Sequence, residues 1–177
     1  MIYRRQLKNI QGWMRATELQ WLYSQAKKYK SIVEIGCWKG KSTHALLSGQ
    51  EPGGIVVAID HFQGAKGQEE FFTEVAYLDI YHIFMANVGH FDNLRVIKGN
   101  SVDAAGYVGD AEMVFIDGDH SYEGFNADLD AWTPKCTKLL CGHDYQFLAV
   151  KTAIIERFGL PRVVDSIWYV NVESSGT

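Results

Sequence analysis

Short apolar runs alternate with longer stretches of helical periodicity along this chain. Continuous apolar or near-apolar runs at 32–35, 55–59, 94–97, 113–116 and 137–141 predict five buried strands. Between them the apolar positions recur at helical spacing. Residues 13–30 carry Trp13, Leu19, Leu22, Tyr23, Ala26 and Tyr29, with Thr17 before Glu18 as polar punctuation. Residues 42–48 read as a helix stopped near Gly49 and Pro52, 122–132 as another, and 146–158 as one ended by Gly159 and Pro161. Residues 66–90 read as one long helix with a broad apolar face: Phe71, Phe72, Val75, Leu78, Ile83 and Phe84. The tail 162–172, rich in Val and Ile, predicts either a hairpin around Asp165-Ser166 or one long bent strand.

Strands that are apolar throughout need cover on both faces, and strands separated by helices pair in parallel. The expected architecture is therefore α/β: a Rossmann-like, doubly wound, mostly parallel seven-stranded sheet with helices on both faces. The tail supplies an antiparallel C-terminal edge. With 177 residues and no linker or repeat, the chain suits one domain, a helical cap at 1–30 followed by a core at 31–172. Ligands of such sheets bind beyond the carboxyl ends of the strands. Those ends are Gly36, Asp60, Gly99, Asp117 and Asp144, and three of the five are carboxylates.

The charge balance changes this picture little. A net charge of -4 with no basic run gives nucleic acid no electrostatic footing, so none is expected as a partner. Three cysteines, Cys37, Cys136 and Cys141, form no CxxC pair and point to a reducing cytoplasm rather than a disulfide framework. No apolar run approaches the roughly 20 residues that span a bilayer, and the charged start is not followed by a signal-like apolar stretch. Neither a membrane nor a leader is expected. The broad face of 66–90 suggests homo-oligomer contacts, which could complete a pocket in so short a chain.

The segment from Glu34 to Ser42 runs from strand to helix with glycines at 36 and 40. Such glycines allow a tight turn and leave room for a ligand at the helix N-terminus. The pattern is not G-x-G-x-x-G. Nor is it a P-loop, which needs glycine at position 35, where Ile35 stands. Alone it could be a plain strand-to-helix turn. Asp60 ends the next strand, about twenty residues beyond the turn, where an acid can accept ribose hydroxyls, although it could also cap the following element.

Two further clusters stand at strand ends. Asp117-Gly118-Asp119-His120 follows the fourth strand, and Gly142-His143-Asp144-Tyr145 follows the fifth. Neighbouring parallel strands lie about 4.8 Å apart, so Asp117 and Asp144 can converge. Asp117 and Asp119 repel one another if both ionise in a dry site, which calls for a cation or a proton nearby. Carboxylates with an imidazole can ligate Mg²⁺, Mn²⁺ or a softer metal, which would acidify and orient a substrate hydroxyl. His120 or Asp119 could then take the proton. The competing readings are Asp119 as a cap for the helix near Ser121 and His143 as a hydrogen-bonded structural residue.

With these residues in view, the chain resembles the class I S-adenosylmethionine-dependent methyltransferases. Glu34-Ile35-Gly36-Cys37-Trp38-Lys39-Gly40 looks like their first motif and Val57-Ala58-Ile59-Asp60 like their second. The resemblance implies that the glycine turn faces the methionine part of the cofactor, with Glu34, Gly36, Cys37, Trp38 and Gly40. Ser42 would hold the carboxylate and Asp60 the ribose, with His61 beside it. Asn100 and Ser101 would frame the adenine, and Asp117 would complete the set. Ser101 could instead be an N-cap, with Asp103 in the first turn.

From about Gly12 to Tyr169 the chain is similar to small bacterial relatives grouped with the macrocin-type and catechol-type O-methyltransferases. The run Ile116 to Glu123, then Asp128-Leu129, then Gly142 to Tyr145 carries that likeness. It implies O-methylation of a small-molecule acceptor and a divalent metal on Asp117, Asp144 and, in place of a usual acid, His143. Candidate acceptor walls are Trp13, Met14, His61, Phe62 and the Tyr145-Gln146-Phe147 loop. N-methylation, hydroxylase-like chemistry on the same site, or a cofactor-binding module without transfer remain the alternatives.

Overall fold

The computed structural model describes residues 9–64 and 77–172. Along the chain run α1 (Ala16–Ala26), β1 (Ser31–Ile35), α2 (Lys41–Gly49), β2 (Ile55–Asp60), α3 (Ile80–Val88), β3 (Leu94–Lys98) and α4 (Ser101–Ala104). Then come β4 (Ala111–Ile116), α5 (Tyr122–Trp132), β5 (Cys136–Gly142), α6 (Leu148–Phe158), β6 (Arg162–Val164) and β7 (Ile167–Asn171). Seven strands form one sheet in the order β3-β2-β1-β4-β5-β7-β6. The first five pair in parallel, and β7 joins β5 antiparallel. The order reverses between β1 and β4, which opens a crevice at their carboxyl ends.

Alternate residues of each central strand feed two cores. Met113 and Phe115 of β4 face α1, α2 and α3 through Leu22, Leu46 and Phe84. Val114 and Ile116 face α4, α5 and α6 through Phe125, Leu129, Trp132 and Ile154. Burial on both faces is why these strands read as unbroken apolar runs. The tail is a hairpin, β6 pairing antiparallel with β7, and the turn places Asp165 at φ 52°.

One expected element differs. The reading of 66–90 as a single helix fails at Leu78-Asp79, where α3 starts afresh with the Asp79 carboxylate accepting from the His82 N–H at 3.0 Å. An N-cap this effective ends the continuity that the apolar spacing suggested. Leu78 is exposed, whereas Ile80, Phe84 and Val88 are buried. Phe71, Phe72 and Val75 lie outside the described residues. Among those described, no helix is long and apolar enough to cross a membrane.

The sheet ladder continues one residue past each strand end. The Gly36 N–H donates to Ile59 O at 2.9 Å, Asp117 N–H to Ile35 O at 2.7 Å, and His143 N–H to Ile116 O at 3.1 Å. Residues immediately beyond the strands are thereby held as firmly as the strands themselves. At Gly36 the approach is very close: a Cβ there would sit 2.1 Å from the Asp117 carbonyl oxygen, and φ is +80°. Gly53 has a similar φ of +82° but open space around it. In urea denaturation, Gly36→Ala is expected to cost at least about 3 kcal/mol, against about 1 kcal/mol for Gly53→Ala. Equal losses at the two positions would contradict the contact.

Candidate active site

A cavity of ≈ 1180 Å³ opens over the carboxyl ends of the central strands. Its wall at one end is the β1–α2 turn. Trp38 takes the left-handed conformation at φ 46°, which turns consecutive N–H groups inward. The Asp60 carboxylate gathers them: Oδ2 accepts from Cys37 N–H at 2.8 Å and Trp38 N–H at 2.9 Å, and Oδ1 from Phe62 N–H at 2.6 Å. A carboxylate has about four lone-pair sites, so three are used within the protein. Asp60 therefore shapes the turn first, and one of its four lone-pair sites is left over.

The other expected cofactor residues divide into wall and support. Gly36, Cys37, Trp38, Ser42, His61, Asn100, Ser101 and Asp117 line the cavity. Cys37 does so through its backbone, since its thiol is buried and burial pushes it well up. Gly40 backs onto Phe84 and Val88 at α2's N-cap, and Glu34 is fully buried beneath the turn. Burial drives the Glu34 carboxyl up to about 8, against the Ser42 and Thr43 hydroxyls that lower it. Asn100, not Ser101, caps α4: its Oδ1 accepts from Val102 and Asp103 N–H. The Ser101 hydroxyl instead donates to Asp128 in the cavity wall. Burial raises Asp128 to about 6 despite that bond.

Opposite the turn lies the charged cluster. His120 Nε2 is 2.8 Å from Asp144 Oδ2 and 3.9 Å from Asp117 Oδ1, and its ring stacks on Phe147 at 5.3 Å. Ligand atoms of Asp117, His120 and Asp144 all fall within 4.8 Å of one another. Two carboxylates and an imidazole at that spacing fit a divalent cation. His143, expected in that set, sits to one side: Nδ1 is 3.2 Å from Asp144 Oδ1, and Nε2 is 3.3 Å from Glu18 Oε1. Ser121 caps α5 by accepting from Gly124 N–H, while Asp119 Oδ1 accepts from Ser121 N–H at 2.8 Å.

Residues 33–145 match a family described as Methyltransferase domain. The chain belongs to that family. Three solved structures share its fold. A cofactor-bound protein from MTB is 16% identical over 98% of this chain and 89% of its own, with TM-score 0.67. An O-methyltransferase from Bacillus cereus in complex with SAH is 16% identical over 96% and 90%, with TM-score 0.60. An SAH-bound methyltransferase from Podospora anserina is 13% identical over 94% and 84%, with TM-score 0.63. No curated protein sequence matches the chain.

Two residues of this methyltransferase's site escaped the sequence reading. Asp128 was visible only within the resemblance. Glu18 was given no role beyond following Thr17, yet it is 1% exposed and reaches His143. Of the acceptor walls, Trp13, Met14, His61, Gln146 and Phe147 line the cavity. Phe62 and Tyr145 do not: Phe62 is buried against Tyr81 and Phe84, and Tyr145 packs against the second core.

Burial opposes charge on His120, but the neighbouring carboxylates of Asp117 and Asp144 carry it up to about 10. His143 reaches about 10 as well: burial opposes, while Asp144 and Glu18 raise it. For Glu18 burial again opposes the charge, and His143 with the Arg15 and Ser166 N–H groups brings it down to about 2. His120, expected as a proton acceptor, thus already carries its proton at neutral pH in the metal-free protein. Both imidazoles lie above their ordinary 6.5, so the stability they contribute is full below that pH and is lost as pH rises through 10. Thermal melts of the metal-free methyltransferase should show Tm falling between about pH 7 and 10. The slope should lessen in His143→Asn. A flat Tm over that range would contradict the paired imidazolium assignment.

Proposed function

We propose that this methyltransferase binds S-adenosylmethionine over the ends of β1, β2 and β3 and transfers its methyl group to a hydroxyl oxygen of a small molecule. The observation that carries the reading is one cavity with two unlike ends, the Asp60-bound glycine turn and the Asp117-His120-Asp144 cluster. The SAH complexes of the Bacillus cereus and Podospora anserina proteins, which share the fold, support the cofactor. The methionine part would lie on the turn near Ser42, one ribose hydroxyl on Asp60, and the adenine beside Ser101 and Asp128. Trp38 and Trp13, with ring centroids 6.0 Å apart, offer π faces to the sulfonium.

Asp117, His120 and Asp144 would hold a divalent metal, which when bound lowers a substrate hydroxyl's pKa and orients it. The chain's own residues place the acceptor. Trp13 and Phe147 are 58% and 46% exposed in the cavity wall and suit a flat acceptor such as a phenol. In the displacement the acceptor oxygen bonds the methyl carbon as the carbon–sulfur bond breaks, and the hydroxyl proton leaves. Asp119, in the same wall, would accept that proton, since a His120 that ligates the metal has no lone pair left for it. Holding donor and acceptor in line would lower the entropic part of the barrier.

Titration calorimetry tests this directly. Folded protein should bind S-adenosylmethionine and not NAD⁺. With Mg²⁺ or Mn²⁺ and a catechol-type phenol, labelled methyl should appear in the phenol. Asp60→Ala should weaken S-adenosylmethionine binding at least about tenfold with the fold retained. Absence of S-adenosylmethionine binding would sink the reading, and unchanged affinity in Asp60→Ala would contradict the cofactor's placement.

A further inference from the structure

Glu18 is the one carboxylate of the site contributed by the N-terminal helix. It stands in the first turn of α1 and is 1% exposed. Its oxygens accept from Arg15 N–H at 2.7 Å and from Ser166 N–H, in the β6–β7 turn, at 2.9 Å. Two backbone donors need only a neutral acceptor. A negative charge in so buried a place calls for a cationic or strongly donating partner, and His143 Nε2 stands 3.3 Å away. The far side of the same ring meets the cavity: Nδ1 lies 3.2 Å from Asp144 Oδ1 and 3.6 Å from Asp117 Oδ1. One imidazole therefore joins a buried carboxylate on α1 to the two carboxylates at the ends of β4 and β5.

A carboxylate faces the ring at each nitrogen, as an ion-pair contact rather than an aligned hydrogen bond at Nε2, and a flip would break both contacts. The His143 backbone N–H is itself held by Ile116 O at 3.1 Å, so the strand end and the ring are fixed together. We propose that Glu18 is a positioning residue: it fixes the His143 ring with Nδ1 between Asp117 and Asp144 and so holds those two carboxylates in their working arrangement. His143 then serves from behind the cluster, and His120 completes the front. Outer partners of this kind orient ligating groups and tune an ion's affinity. The ion-binding consequence rests on the reading of Asp117, His120 and Asp144 as the metal-holding set; the ring's orientation does not.

The test uses the full chain and two readouts. Long-range ¹H–¹⁵N spectra of the metal-free wild type should show a protected His143 Nε2–H proton, assigned by its absence from His143→Asn. In Glu18→Gln that signal should vanish or shift while the backbone amide spectrum stays folded. Mn²⁺ affinity, by calorimetry, should fall about 10- to 100-fold in Glu18→Gln. Adding Glu18→Gln to His143→Asn should cause no further fall. The wild-type signal is read in the unmutated chain, so it decides the matter even when Glu18→Gln unfolds. A wild type that fails to bind Mn²⁺ overturns the metal reading alone. A wild type without a protected His143 Nε2–H overturns the proposal, as does a Glu18→Gln that matches wild type in both readouts.

Discussion

The Asp117 carbonyl lies 2.1 Å from where a Cβ on residue 36 would stand, so glycine alone lets β1 and β4 keep their ladder to the last residue. That contact sets the crevice at the reversal of strand order. On one side it starts the turn whose N–H groups Asp60 collects. On the other it fixes the backbone from which Asp117, Asp119 and His120 project. The glycine turn and the charged cluster are therefore two ends of one seam rather than two loops that must find each other. Preorganisation of this kind is what a positioning enzyme needs.

Charge is the second constraint. Asp117 and Asp144 converge from neighbouring strands, and burial alone would favour neutral acids. Burial does raise Asp117, while its two histidine neighbours pull it back, and contacts with His120 and His143 hold Asp144 well below the usual carboxylate range. Three carboxylates, counting Glu18, thus share two imidazolium rings.

Much of this was legible in the sequence, for physical reasons. Strands buried on both faces leave apolar runs that cannot be missed, and chain order through parallel pairing puts Asp60, Asp117 and Asp144 at one edge. The long helix at 66–90 was over-read because dense apolar residues mask the stop that Asp79 imposes. The division of labour between His120 and His143 was not legible, since it depends on which way each ring leaves its strand end. Glu18 was less legible still: its partner Ser166 is 148 positions away. Asp60 shows the opposite case: it stands at the expected strand end, yet its lone pairs go first to its own protein.

The central claim is that the seam between the glycine turn and the cluster is where a methyl donor and its acceptor meet. A crystal soaked with S-adenosylhomocysteine and Mn²⁺ tests it most directly. The account predicts the adenine beside Ser101 and Asp128, the ribose at Asp60, the sulfur directed toward Asp117, His120 and Asp144, and the ion on those three residues. Density for S-adenosylhomocysteine elsewhere on the protein, with the Asp60 turn empty, would contradict it.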